Sequence, residues 1–266
     1  MLTDRTYLWL AQAFYAASCL VTFRRLRTGG GGPGPQRVNY AVMAIGFVLH
    51  TTFLYLRGQH LGRCPLTNLF ETQAFATWAA VLFFLLIGPS YRVSFLGAFT
   101  APLVLAICLV ALLSPVDAPN TQAITRSAWI EFHAAIAIVA CGAFALAFVT
   151  STMYLLQERQ LKTRRLTSSF LLLPSIEQLD VIHFRLLIMG FAMLTVGMLG
   201  GMVSYHIVGH WTIPKIIWAV TVWLLYGGLV LARGIWTLRG RKVAVGSMAS
   251  FAFMLLGFWG VSLLQP

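Results

Sequence analysis

Long apolar runs separated by short polar segments make up almost the whole chain. Each run is about 20 residues long, which is the length that a helix needs to cross about 30 Å of hydrocarbon. None of the runs alternates apolar and polar positions as a membrane β-strand does, so backbone polar groups must be paired inside helices. The pattern predicts an all-α polytopic membrane protein, a bundle of about eight transmembrane helices. The predicted spans are residues 7–24, 38–57, 69–88, 95–114, 129–156, 184–208, 215–236 and 245–264.

The cationic residues set the predicted orientation of these spans. The chain has 266 residues, of which 59% are hydrophobic and 10% charged, and its formal net charge is +12. Such a charge suggests nucleic acid in a soluble protein, but in a membrane protein Lys and Arg concentrate in the cytoplasmic loops. We therefore predict a multi-pass protein of the inner, cytoplasmic membrane, surrounded by the lipid bilayer, with no nucleic-acid partner and with both termini outside. The predicted inner side carries Arg24, Arg25, Arg27, Arg37, Arg92, Arg159, Lys162, Arg164, Arg165, Arg185, Arg233, Arg239, Arg241 and Lys242, and the outer side carries Arg5, Arg57, Arg63, Arg126 and Lys215.

The spans leave almost nothing for a soluble domain, so residues 1–266 are predicted to form a single integral-membrane domain. Residues 29–36 are a Gly/Pro linker with the composition of a flexible connector. Residues 157–182 form the longest cytoplasmic connection, and their basic first half and apolar second half indicate a segment at the inner membrane surface or a partner-binding loop. The first span is interpreted as an uncleaved anchor, because its basic cluster follows the apolar run.

Polar residues mark the start of the third predicted span. Asn68 is predicted to cap this helix, and Glu71, three residues later, to reach back to the same helix end. Trp78 falls two helical turns after Glu71 on the same face. Glu71 is one of four acidic residues predicted outside, so a functional role stays open beside the structural one. Cys64 shows no metal-ligand spacing and is interpreted as a packing residue or an isolated reactive thiol.

Five of the six histidines lie toward the predicted outer side. His50 lies in the outer half of the second span, where an ionisable side chain usually faces a cavity or a partner. It is interpreted either as a core residue that donates to a helix carbonyl or as a ligand. His133 lies at a similar depth in the fifth span, and two neutral imidazoles from different helices can hold a haem iron. The ligand hypothesis pairs His50 with His133, although the sequence does not show that these spans touch.

A polar and aromatic stretch, SYHIVGHWTIPKIIW at residues 204–218, follows the sixth span; we call it the rim. His206 and His210 share a helix face and are either a ligand pair that lacks a third member or a solvated helix end. Trp211 and Trp218 are either interfacial aromatic residues or planes against which a porphyrin packs. The cations available for porphyrin propionates are Arg57, Arg126 and Lys215.

Three glycines mark the sixth span as a helix with a bare face. Gly190, Gly197 and Gly201 lie on this span, and small residues at such spacing let helix backbones approach each other in lipid. The bare face serves close packing or leaves room for a bulky ligand.

Several short motifs occur in order between residues 40 and 264, and together they resemble those of the cytochrome c assembly superfamily of membrane proteins. The layout is similar to its short, eight-span HemX-like branch and to the CcsA haem-handling proteins. The motifs are Pro65-Leu66-Thr67-Asn68-Leu69-Phe70-Glu71 with Trp78, His133 with Tyr154-Leu155-Leu156-Gln157-Glu158-Arg159, Leu173-Pro174-Ser175-Ile176-Glu177 with Leu179-Asp180, Gly190-Phe191 with Gly197 and Gly201, Pro214-Lys215 with Trp218-Ala219 and Trp223-Leu224, and Arg239-Gly240-Arg241-Lys242.

The resemblance implies a Trp-rich external segment that presents haem, flanked by external histidine ligands. His133 matches the first of these histidines. The Trp-rich motif is eroded, because His206 and His210 stand where two of its Trp residues are expected. Leu231 replaces a histidine expected in the span that follows the motif. The second external histidine, expected after the last span, is missing before Pro266.

These observations predict a membrane haem-binding and haem-handling factor in cytochrome c assembly that uses outer-face histidines and a non-covalently bound b-type haem. Its expected partners are haem and other cytochrome c maturation membrane proteins, or a haem-pathway enzyme. The alternative is a HemX-like, non-catalytic regulatory or assembly partner in tetrapyrrole and haem biosynthesis, which Leu231 and the eroded motif favour. A transporter is a third hypothesis, disfavoured by the lack of an evident internal repeat. No enzyme activity is expected, because no nucleophile–base arrangement, phosphate loop or carboxylate pair is evident.

Overall fold

The computed structural model describes residues 2–28, 33–91, 96–113, 128–163, 174–208, 213–236, 238 and 240–263. Within these residues every regular element is an α-helix, as the apolar runs predict. The helices are α1 (Leu2–Thr28), α2 (Pro33–Leu61), α3 (Leu69–Tyr91), α4 (Leu96–Leu113), α5 (Ala128–Thr163), α6 (Ile176–Val208), α7 (Ile213–Gly234) and α8 (Arg241–Leu263).

Among the described residues, six helices, α1, α2, α3, α5, α6 and α7, are long and apolar enough to cross a membrane. The protein is therefore a multi-pass, all-α membrane protein. The apolar part of α4, Leu96–Leu112, is shorter than these. A crossing by α4 or α8, and the placement of both termini outside, stay predictions.

Several helices are longer than the apolar runs that predicted them. α5 has 36 residues, about 54 Å at 1.5 Å per residue, so it extends well past the hydrocarbon thickness. α2 begins at Pro33, inside the predicted Gly/Pro linker, and α6 begins at Ile176, inside the predicted cytoplasmic connection. The start of α6 is a capping box, because Gln178 N–H donates to Ser175 Oγ and Ser175 N–H donates to Gln178 Oε1. Polar capping residues and not hydropathy set this boundary.

α5 is the central helix of the bundle. Its most extensive partner is α6, and it also packs against α3, α8 and α4. Around this centre, α1 packs on α2 and α4, α2 on α3, α6 on α7, and α7 on α8. The arrangement places α3 between the two helices that carry the predicted ligand pair, α2 and α5.

Close approach to α5 depends on glycine. A Cβ at Gly142 of α5 would lie 2.5 Å from the Ala79 side chain of α3, and one at Gly190 of α6 would lie 2.5 Å from the Phe144 ring. The Phe144 ring in turn stacks on the Tyr226 ring of α7 at a centroid distance of 3.5 Å. The close-packing role predicted for Gly190 is confirmed.

Candidate functional site

His133 lies near the start of α5 and makes its contacts with the final turns of α6. Its Nδ1 forms a hydrogen bond with the backbone carbonyl of Gly197. A carbonyl oxygen only accepts, so Nδ1 carries the ring proton in this contact and a neutral His133 keeps its lone pair on Nε2. A histidine that binds a metal through Nε2 needs this tautomer, and a fixed acceptor at Nδ1 orients the ring.

The bare surface of α6 is what brings His133 this close. A Cβ added at Gly201 would lie 2.8 Å from Cε1 of the His133 ring, and one added at Gly200 would lie 3.3 Å from its Cβ. A Cβ at Gly197 would meet Ala137 of α5 at 3.2 Å. The glycines therefore allow close helix packing and accommodate the His133 imidazole, whereas room for a bulky ligand on this face stays a prediction.

His50 occupies a different environment on α2. Its side chain is 0% exposed, its Nδ1 lies 3.3 Å from the Tyr15 hydroxyl of α1, and the Phe53 ring lies against it. Nε2 is buried and has no well-aligned hydrogen-bond partner among the described residues, although the Ala74 backbone lies close enough to interact with the ring. The contacts are those of a core residue that helps to join α1 to α2.

The structure does not bring the predicted ligand pair together. His50 packs toward α1 and α3, whereas His133 packs toward α6, and α3 lies between α2 and α5. Among the described residues, no group of three or more His, Cys, Asp or Glu side chains is placed to hold a metal ion. The His133 imidazole has the chemistry of an iron ligand, and this structure does not place His50 beside it.

A buried ion cluster joins the same end of α1, α2 and α3; we call it the α1–α3 ion cluster, formed by Asp4, Arg57, Arg63 and Glu71. Arg57 Nε donates to Glu71 Oε1 at 3.0 Å, and its NH1 lies 3.5 Å from Asp4 Oδ2. The side chains of Arg57, Asp4 and Glu71 are 6%, 2% and 1% exposed. Arg63 NH1 lies 4.0 Å from Glu71 Oε2. Burial makes each charge dependent on its partners.

Glu71 also completes the predicted cap of α3. Glu71 N–H donates to Asn68 Oδ1 at 2.7 Å, and Glu71 Oε2 accepts from the Thr67 N–H at 3.0 Å. The predicted capping interaction is confirmed. Because both carboxylate oxygens are already engaged, and Arg57 is bound by two carboxylates, Glu71 and Arg57 hold helices together in this structure. Arg57 is therefore not a free cation for propionates.

Trp78 lies deeper on α3 and faces α2. Its Nε1–H donates to Thr51 Oγ1 at 2.9 Å, and its ring stacks on Phe47 at a centroid distance of 5.4 Å. These contacts assign Trp78 to the α2–α3 interface.

The rim is described only in part. The backbone of His206 belongs to the end of α6, whereas its side chain, and all of His210 and Trp211, lie outside the described residues, as does Arg126. Lys215 is exposed on the first turn of α7, and the half-buried Trp218 lies against Gly257 of α8. His206 follows Gly201 by five residues, about 7.5 Å along the helix, so the rim starts beside the His133 contact.

Cys64, in the loop between α2 and α3, has an environment that suppresses thiolate formation. Burial raises the pKa of the Cys64 thiol, and the neighbouring carboxylates of Glu131 and Glu71 raise it further. The Cys64 backbone N–H also donates to Glu131 Oε2 at 3.3 Å, which links the loop to α5. A raised pKa disfavours a reactive thiol.

Sequence reasoning missed the Asp4–Arg57 contact and the role of the Gly197 carbonyl. The available signal for the first was a pair of opposite charges at the ends of successive spans, Asp4 and Arg57. No sequence signal marks a single backbone carbonyl as the acceptor of a histidine 64 residues away.

The fold is that of a polytopic, all-α membrane protein. The half-buried His133, near one end of the bundle, is its candidate metal-ligating residue. Residues 66–266 match the family described as Cytochrome C assembly protein. The match covers more than half of the chain, so this protein belongs to that family, and the resemblance expected from the sequence motifs is confirmed.

Individual relatives carry two names within this family. The chain is 29% identical over 265 residues to the cytochrome c biogenesis protein CcsA of Synechococcus sp. (strain CC9902), which covers 87% of this chain and 84% of that protein. It is 29% identical over 256 residues to CcsA of Parasynechococcus marenigrum (strain WH8102), covering 84% and 82%. It is 25% identical over 228 residues to Protein HemX of Bacillus subtilis (strain 168), covering 84% and 83%.

Proposed function

We propose that this protein is a membrane haem-binding and haem-handling factor in cytochrome c assembly, with His133 as an axial ligand of a non-covalently held b-type haem. The observation that supports it is the hydrogen bond from His133 Nδ1 to the Gly197 carbonyl, which leaves Nε2 free for iron in the neutral residue. Membership of the Cytochrome C assembly protein family supports a role in cytochrome c assembly. The proposed location is the inner, cytoplasmic membrane.

In the proposed mechanism haem is the cargo, and it supplies the iron and the porphyrin plane. His133 would hold the iron through Nε2, and the Gly197 carbonyl orients the imidazole ring. The glycine surface at Gly200 and Gly201 keeps this end of α6 free of side chains that would push the imidazole aside. The adjoining rim contributes aromatic and polar contacts, with Lys215 as an exposed cation for a propionate.

The second axial ligand is proposed to come from the rim histidines, His206 or His210, or from a partner membrane protein of cytochrome c maturation. A shared iron between His133 and His50 would require α2 and α5 to approach each other across α3. We therefore put His133 first among the proposed ligands and His50 after the rim residues. Haem handling by binding needs no bond-making step by the chain itself, so the proposal assigns it no enzyme activity.

A HemX-like regulatory or assembly partner in tetrapyrrole and haem biosynthesis is the second candidate function. The observation that favours it is the similarity to Protein HemX over 84% of this chain, together with the enclosure of His50 and the leucine at position 231. In this alternative the partner is a haem-pathway enzyme.

A deletion strain complemented with variants separates the two functions. We expect the deletion to lose haem-stained c-type cytochromes, wild type to restore them, and His133→Ala to fail. His60→Ala is the matched control, because His60 is an exposed residue at the end of α2. Normal c-type cytochromes in the deletion, with a changed level of a haem-pathway enzyme, would contradict the first function and support the second.

A further inference from the structure

The start of α5 is held from two different sides. Glu131 and His133 are two positions apart on this helix, so their side chains point about 200° apart around its axis. The His133 ring contacts the glycine surface of α6, whereas the Glu131 carboxylate accepts a hydrogen bond from the Cys64 N–H of the α2–α3 loop at 3.3 Å. The two contacts therefore brace the same turn of α5 against separate parts of the bundle.

Glu131 continues the side of α5 that packs on α3. Gly142 lies about three turns further along this side, where an added Cβ would be 2.5 Å from the Ala79 side chain. Ala79 itself lies about three turns after Asn68, the residue that caps the start of α3. α3 therefore begins at the level of Glu131, and the loop before it makes the contact with α5 there.

The α2–α3 loop is a well-fixed partner for this contact. Gly62 adopts a φ of 61°, which favours glycine, and the N–H groups of Gly62 and Arg63 both donate to carbonyls in the last turn of α2 at 3.3 Å. At the other end of the loop, Thr67 donates through its N–H and its Oγ to Glu71 Oε2 at 3.0 Å. The Cys64 N–H is therefore presented by a segment that is tied down at both ends, and one of these ties is the α1–α3 ion cluster.

A carboxylate in a first helical turn also has a simpler effect, because its charge stabilises the N-terminus of any helix. Glu177, which is exposed in the first turn of α6, is a residue of this kind. Glu131 differs because the backbone of another segment donates to its carboxylate. The two effects can be separated, since the first needs the charge and the second needs only an oxygen acceptor.

We propose that Glu131 is a positioning residue for His133. By accepting from the Cys64 N–H, it fixes the first turns of α5 and so keeps the His133 imidazole against Gly197 and Gly201. An imidazole that is already oriented loses less conformational freedom when it binds a metal, so it binds more tightly. The effect on haem rests on the proposed function, whereas the placement of His133 does not.

Hydrogen exchange of the full-length protein without haem, read by mass spectrometry, tests the placement. The variants are Glu131→Ala, which removes the acceptor, and Glu131→Gln, which keeps an oxygen acceptor and removes the charge. We expect residues 62–68 and 128–137 to exchange about fivefold faster in Glu131→Ala, as the loss of one hydrogen bond predicts, and at close to the wild-type rate in Glu131→Gln. Glu177→Ala is the matched control and should change neither segment.

Haem titration of the same variants, followed at the Soret band, tests the effect on the ligand. We expect Glu131→Ala to bind haem about fivefold more weakly with a shifted Soret maximum, and Glu131→Gln and Glu177→Ala to keep the wild-type values. A general loss of stability would reduce the amount of folded protein without moving the maximum. Because coupling is reciprocal, haem should also slow exchange in residues 62–68 of wild type and not of Glu131→Ala.

Three results would each overturn the proposal. They are wild-type exchange in Glu131→Ala, a Glu131→Gln variant that behaves as Glu131→Ala does, and an unchanged haem affinity and Soret maximum in Glu131→Ala. Absence of haem from wild type, together with faster exchange in Glu131→Ala, would instead refute the proposed haem function and support the placement of His133 by Glu131.

Discussion

His50 and His133 occupy similar positions in the sequence pattern and different environments in the structure. Both are histidines within apolar runs, at positions that the sequence predicts to lie toward the outer side. His50 is fully buried among Tyr15, Phe53 and the α3 backbone, on the side of the bundle that the α1–α3 ion cluster holds together. His133 is half-buried against a glycine surface, with one nitrogen fixed by a backbone carbonyl.

The difference teaches that depth in a membrane helix does not show which histidine is enclosed by the core and which is available as a candidate ligand. The neighbours of the ring do: a hydroxyl and aromatic rings enclose one imidazole, whereas bare helix surface leaves the other accessible. The following variants test each side of this comparison.

The largest effect on thermal stability is expected from Glu71→Gln, on the side of the bundle that contains His50. This change removes the charge of the nearer carboxylate partner of the buried Arg57, while Asp4 Oδ2 lies farther away at 3.5 Å, and it weakens the cap of α3. Breaking a buried ion pair costs about 3–5 kcal/mol. We expect a large fall in the thermal unfolding midpoint of the purified protein, measured by scanning fluorimetry.

Glu158→Gln is the control for this variant. Glu158 pairs with Lys162 across one turn of α5, and the lysine side chain is 64% exposed. A surface pair of this kind contributes about 0–1 kcal/mol. Equal midpoints for the two glutamine variants would contradict the structural role assigned to the α1–α3 ion cluster.

Near His133, Gly201→Val should weaken the packing of α5 against α6 and reduce haem binding. The added side chain overlaps the His133 ring, so the ring has to move or the helices have to separate, at a cost of about 1–3 kcal/mol. We expect lower thermal stability and a loss of bound haem of about tenfold. Gly228→Val is the control, because nothing lies within 4 Å of a Cβ at Gly228. Unchanged haem content in Gly201→Val would show that the glycine surface of α6 is not part of the haem site.

Trp78→Phe should have a smaller effect, confined to the α2–α3 interface. The change removes the hydrogen bond to Thr51 and keeps an aromatic ring against Phe47. A lost neutral hydrogen bond costs about 1 kcal/mol. We expect a modest fall in the unfolding midpoint with haem content unchanged; a loss of haem would place Trp78 at the haem site instead.

The smallest effect is expected on the pH dependence of Cys64 alkylation. Because burial and two carboxylates raise the pKa of this thiol, its thiolate fraction at pH 8 is below that of a free cysteine. Alkylation by iodoacetamide, followed by peptide mass spectrometry, should be slow at pH 8 and accelerate as the pH rises further. Glu131→Gln should speed the reaction at pH 8. Alkylation at pH 8 as fast as that of a free thiol would contradict this environment.

Local patterns predicted the elements of the fold well. Runs of about 20 apolar residues predicted the helices because hydrocarbon thickness fixes the length of a span. The spacing of Asn68 and Glu71 predicted the start of α3 because both residues act within one turn. Gly190 predicted close packing because a missing side chain is itself visible in the sequence.

Contacts between distant helices were not predictable in the same way. The Arg57–Asp4 pair joins residues 53 apart, and the His133–Gly197 contact joins residues 64 apart. Both depend on which helices are neighbours, and that order follows from packing across the whole bundle. For this reason the sequence identified His50 and His133 as candidates but could not show that α3 lies between their helices.

The haem spectrum of the purified protein, compared between His133→Ala and His50→Ala, tests the central proposal most directly. If His133 is an axial ligand, wild type shows a haem Soret band, His133→Ala loses most of it, and added imidazole restores part of it. His50→Ala should keep most of the band, with a lower unfolding midpoint from the lost Tyr15 contact. No haem in wild type, or a band that persists in His133→Ala and disappears in His50→Ala, would contradict the proposal.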